Sequence, residues 1–232
     1  MQKLFFELIQ VSIGQLDCLD RGPSPEEWHL LYDLSKRHGL ETICYDGVVR
    51  LFDFGLRAPQ DLSIDWMAET ETGAEQAVVA EPVISNALRR MLFVRWMSRN
   101  SSSLYLRGTQ PQQFTPAAAI VALLLQAFED FHKGTLTLRM VVDCCQQLRL
   151  LDGKEVVFRD GSTIKQMLQT FGIWRFARAM MWLTGEVTRL DERLMVCKPD
   201  ASGGRFLLEQ VMADKLPLLT RVKNRLLNLL KF

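Results

Sequence analysis

Residues 116–151 read PAAAIVALLLQAFEDFHKGTLTLRMVVDCCQQLRLL, and this stretch decides the fold. Pro116 suits a first helical position, and from Ala117 to Leu125 no side chain is polar. A helix apolar on nearly every face until Gln126 must be wrapped by other helices. The spacing predicts this buried helix over 117–132, a turn at Lys133-Gly134-Thr135, and a second helix from Leu138. In the second helix Leu138, Val141, Val142, Cys145 and Leu148 recur at helical spacing. Arg139 and Asp143 stand four apart, where a helix brings them together as a structural pair.

Outward from this pair the same period continues. Leu4, Phe5, Leu8, Val11 and Leu16 give 2–18 one apolar stripe, with Gly14 as a mild weakness inside it. Ser24, Pro25 and Glu27 form a capping-box start, and the helix they open runs to His38 and stops at Gly39. A third helix is expected over 42–52, ending near Gly55 and Pro59. On the C-terminal side, Thr163 caps a short helix that Gly172 ends. A helix filled by Trp174, Phe176, Ala177, Met180, Met181 and Leu183 follows, an aromatic and methionine face that belongs to the core. Lys154 to Phe158 reads as a brief extended piece, and a further helix is expected from Gly204. The fold class expected is all-α: a small N-terminal helical unit (1–59), a charged connecting segment (60–114) and a C-terminal helical bundle (115–232).

The connecting segment is polarised. From Gln60 to Pro82 it carries Asp61, Asp65, Glu69, Glu71, Glu75 and Glu81 with no lysine or arginine. From Val83 to Phe128 the chain carries Arg89, Arg90, Arg95, Arg99 and Arg107 with no acid. Ile84, Leu88, Met91, Leu92 and Trp96 predict a helix with an apolar side, followed by a loop from Asn100-Ser101-Ser102-Ser103 onward. Solvated helix faces account for most charge runs, and Arg89, Arg90, Arg95 and Arg99 are also the candidate partner surface. The last stretch, 217–232, sets Leu219, Val222, Leu226, Leu229 and Leu230 against Arg221, Lys223, Arg225 and Lys231. It reads as a basic amphipathic helix, packed on its own domain or offered, through Arg221, Lys223 and Arg225, to a partner or a membrane surface.

Composition narrows the function classes. At 232 residues and 48% hydrophobic the chain has enough apolar matter for a substantial core. A net charge of +1 supplies no overall attraction to nucleic acid or an anionic membrane. The five cysteines lack metal-ligand spacing and suit buried thiols in a reducing compartment. No apolar run reaches the roughly 18 residues of a membrane span, and Glu7 inside the first apolar run argues against a signal peptide. The expected location is the cytoplasm. His29, His38 and His132 are scattered without zinc spacing, and there is no Gly-rich phosphate loop and no nucleophile elbow.

The run from Phe131 to Asp143, with its His132, Gly134, Leu138-Arg139 and Asp143, resembles a signature in the C-terminal helical half of a bacterial family of uncharacterised nucleotidyltransferases. Trp28 with His38-Gly39 resembles the start of the same family. Pro199-Asp200, Gly204-Arg205-Phe206-Leu207-Leu208 and Met212 resemble its tail. The resemblance implies nucleotidyl transfer, which needs a divalent metal held by carboxylates, on a Gly-Ser or Gly-Asp turn followed by an Asp-x-Asp pair. Here Gly161-Ser162 is followed by no carboxylate until Glu186, and Asp17 and Asp20 sit three apart near a helix end. The segment 60–114 is too short for a complete mixed-sheet catalytic domain. The expectation is a non-catalytic, nucleotidyltransferase-like helical protein with a degenerate active site, no cofactor, and an unidentified protein or small-molecule partner. The alternative is a divergent nucleotidyltransferase using Asp61 and Asp65 for Mg2+ and a nucleoside triphosphate.

Overall fold

The computed structural model of the chain describes residues 1–72, 79–106 and 113–213. Among these residues it is built of α-helices, two single-turn 3-10 helices and no strand. Two isolated bridges, Tyr105 with Phe114 and Val157 with Thr163, are the whole of its β pairing among the described residues. The all-α class expected from the apolar period is the class observed, and none of the described helices is long and apolar enough to cross a membrane.

The helices are α1 (Gln2–Ser12), α2 (Pro25–His38), α3 (Glu41–Leu51), α4 (Gln60–Thr72), α5 (Ala87–Leu104), α6 (Pro116–Lys133), α7 (Leu138–Leu151), α8 (Ile164–Thr170), α9 (Trp174–Thr188) and α10 (Ala201–Met212). They group into two compact units, one of Met1–Ala77, Thr137–Arg139 and Glu186–Arg189, the other of Val78–Leu136, Met140–Gly185 and Leu190–Phe232. The division therefore falls inside the segment expected to be a connector. α4 is built into the first unit and α5 into the second. The physical reason is that each carries large apolar side chains, Trp66 in α4 and Phe93 and Trp96 in α5, which are buried in their own units.

In the first unit α1 and α3 pack closely because Gly47 has no side chain. A Cβ there would lie 2.3 Å from the Ser12 hydroxyl and 3.1 Å from the Leu8 carbonyl oxygen. Phe5, Leu8, Ile9, Leu31, Leu40, Cys44, Val48 and Leu51 form the core around that crossing. α2 starts as its sequence predicts: Ser24 Oγ accepts from the Glu27 amide at 3.2 Å and the Glu27 carboxylate accepts from the Ser24 amide at 2.9 Å. It stops at Gly39 in a left-handed conformation, φ 65°. α1 is shorter than expected. It ends at Ser12, and Gly14, at φ 72°, lies beyond the end, where the chain turns. α4 is held by Leu62 and Trp66; the Trp66 indole donates to the Glu41 carbonyl at 2.9 Å, and Lys36 pairs with Glu69 at 2.5 Å.

In the second unit every residue from Ala117 to Leu125 is buried, as the apolar run of α6 requires. Phe176, Ala177, Met180, Met181 and Leu183 of α9 are buried as well. Thr163 caps α8 in a second capping box with Gln166. α10 begins at Ala201 rather than Gly204, because Asp200 caps it by accepting from the Ser202 amide at 3.1 Å. Gly204 is thereby inside the helix, and a Cβ there would lie 2.3–2.8 Å from Trp182 of α9. The expected C-terminal amphipathic helix, with Arg221, Lys223 and Arg225, lies outside the described residues.

Candidate functional site

The candidate partner surface is one face of α5, and its position is set by what anchors the other face. The leader into the helix is pinned to the polar end of α6. The Val83 amide donates to Gln126 Oε1 at 2.7 Å and the Ser85 amide to Glu129 Oε2 at 3.0 Å. Asn86 caps the helix by accepting from the Arg89 amide at 3.0 Å. The Arg89 guanidinium then turns inward. It pairs with Glu129 at 2.8 Å, donates to the Phe171 carbonyl at 3.0 Å, and lies 4.5 Å from the centre of the Phe128 ring. Burial raises the Glu129 pKa, but the Ser85 amide and Arg89 outweigh it and hold the carboxyl below its ordinary range.

Beyond the first turn the anchor becomes aromatic. Phe93 and Trp96 are buried against each other at 5.7 Å, and Trp96 meets the edges of Phe158 at 5.1 Å and Phe171 at 6.2 Å. One turn on, Asn100 is fully buried; its amide donates to the Trp96 carbonyl and its oxygen accepts from the Asp160 amide, each at 3.0 Å. The loop expected from Asn100 to Ser103 is thus helix to Leu104, because Asn100 is satisfied inside the fold and not by solvent. The inward positions are 89, 93, 96, 100 and 104. The expected apolar side, Ile84, Leu88, Met91, Leu92 and Trp96, is corrected accordingly: Ile84 and Trp96 are buried, but Leu88 and Met91 face out.

The outward face therefore carries Leu88 (63% exposed), Met91 (56%) and Val94 (60%), with the exposed Arg90 and Arg95 beside them. Of the four arginines read as a partner surface, Arg89 does not belong to it, being spent on Glu129 and Phe171. Arg99 lies within electrostatic range of Asp160. Arg90 and Arg95 remain, with no ion-pair partner among the described residues. Charge marks these arginines in the sequence, but the apolar spacing puts Leu88 and Met91 on the inward side and leaves out Val94, all three of which face out. α5 carries two competing apolar stripes, and only the partners Glu129, Phe171 and Asp160 choose between them.

The other candidates fall elsewhere. Asp61 and Asp65 are exposed one turn apart on α4, beside the exposed Ile64 and Met67. Among the described residues no three His, Cys, Asp or Glu side chains lie close enough to hold a metal ion together. Arg139 donates to the Gly39 carbonyl at 3.3 Å, at the C-terminal cap of α2. His132 meets the Phe128 ring at 4.4 Å, edge to face, in keeping with a structural role. His38 is buried against Phe5, ring centres 6.0 Å apart, with neither nitrogen hydrogen-bonded; burial and the nearby Arg37 charge push its pKa down to about 4. No family model, curated protein or solved structure matches this chain.

Proposed function

We propose that the chain is a non-catalytic, nucleotidyltransferase-like helical protein that serves as an interaction module in the bacterial cytoplasm, with the outer face of α5 as its binding surface. The observation that carries this reading is the outward cluster Leu88, Met91 and Val94 on a helix locked into its unit on the opposite side. A contiguous apolar patch is unfavourable in water and marks an interaction site more often than a solvated surface. Methionine and arginine are also enriched where proteins meet proteins, and Arg90 and Arg95 stand ready for charge pairing there. A helix face is convex, so it fits a protein partner better than a small molecule, which needs a concave pocket. The free, buried thiols Cys44, Cys144 and Cys145 agree with a reducing compartment.

The test is site-specific photo-crosslinking in cells. A photoreactive residue in place of Met91 is expected to capture a protein, and the same residue in place of the exposed Gln146 of α7 is expected to capture none. No adduct at 91, or equal adducts at both positions, would contradict the assignment.

A further inference from the structure

Resting on that reading of α5, we infer that its occupant is a second copy of this chain, docking through the outer face of α4. The two faces are complementary in the two properties that matter for association. On α4 the exposed Ile64 and Met67 are flanked by Asp61 and Asp65; on α5 the exposed Leu88, Met91 and Val94 are flanked by Arg90 and Arg95. Each face is the side of its helix opposite a buried tryptophan, Trp66 in α4 and Trp96 in α5, so neither can turn inward without opening its own unit. On α4, Asp61, Ile64, Asp65 and Ala68 are spaced i, i+3, i+4 and i+7, one continuous side of the helix. On α5, Ala87, Arg90, Met91 and Val94 have the same spacing. Acid against arginine fixes register and excludes like pairs, α4 with α4 or α5 with α5, while the apolar centres supply the burial. Because every copy carries both faces, the α4 face of one copy can take the α5 face of another, a heterologous contact between copies.

Sedimentation equilibrium of the full chain, at 50 mM and 500 mM salt, tests this with charge-reversal variants. The wild type is expected to rise above its 26.6 kDa chain mass, to twice that value or more, with concentration, and to dissociate more readily at high salt. R90E/R95E and D61R/D65R should each weaken association at least about tenfold while keeping the helical circular dichroism of the wild type. Mixing these two variants should restore it, since each then offers the face the other lacks. The inference is overturned by a wild type that stays monomeric, by reversals without effect, or by a mixture that fails to associate. A monomeric wild type that still crosslinks a different protein through position 91 would end the self-association while leaving α5 as a binding surface; no crosslink at all would end both.

Discussion

Arg89 and Arg90 are neighbours with opposite fates, and the difference is a single helical step of about 100°. Arg89 lands over Phe128 and against Glu129, where its charge is nearly dry and fully paired; Arg90 lands in solvent. Charge counting alone cannot separate the two, because the buried acid that selects Arg89 lies forty residues away. His38 illustrates the same dependence on distant partners. Its ring is buried on Phe5 without a hydrogen bond, so the folded chain holds it neutral, with a pKa near 4 against about 6.5 when unfolded. The unfolded state then binds the extra proton as pH falls. This stabilisation is whole above about pH 6.5 and is lost progressively down to about pH 4, amounting to roughly 2 kcal/mol between pH 7 and pH 5. Urea denaturation at pH 7 and pH 5 should show that loss in the wild type and little of it in His38→Leu. An equal loss in both proteins would mean that His38 does not titrate on unfolding. The carboxyls of Glu129 and Asp160 are held below their ordinary range and act at lower pH, outside this window.

Helices α6 and α9 were legible because burial on nearly all sides leaves no choice of face, and both capping starts, at Ser24 and Thr163, are purely local chemistry. The errors lie where the face or the end of a helix is chosen by tertiary partners. α5 runs through Asn100-Ser101-Ser102-Ser103 because Asp160 and Trp96 satisfy Asn100, and α10 starts early because Asp200 caps it. Gly204, from which the sequence predicts a helix, is instead the contact that lets α10 lie on Trp182. In a free helix Gly→Ala gains about 1 kcal/mol. Here the new methyl would meet the Trp182 ring and its Cβ at 2.3–2.8 Å, atoms too close to the backbone to swing away. Overpacking of this kind costs about 1–3 kcal/mol. Gly204→Ala should therefore fail to stabilise and should lower the thermal and urea midpoints by up to about 2 kcal/mol net; a gain would show that α10 is not seated on Trp182.

At the scale of the molecule, α4 and α5 belong to different compact units; α4 exposes Asp61 and Asp65 and α5 exposes Arg90 and Arg95, each helix anchored by a buried tryptophan. The resemblance to nucleotidyltransferases implies triphosphate chemistry, which depends on a metal and fixed donors converging on the phosphates. The measurement that tests the interaction-module account most directly is thermal unfolding with ATP, GTP, CTP or UTP and magnesium at millimolar concentration, at low and high salt. Specific binding at 100 times the dissociation constant would add about 2.7 kcal/mol of stability. No shift is expected to survive high salt, where diffuse attraction to the arginines is screened. A magnesium-dependent shift that persists in high salt and disappears in Asp61→Asn/Asp65→Asn would contradict it and make the chain a nucleotide-binding protein.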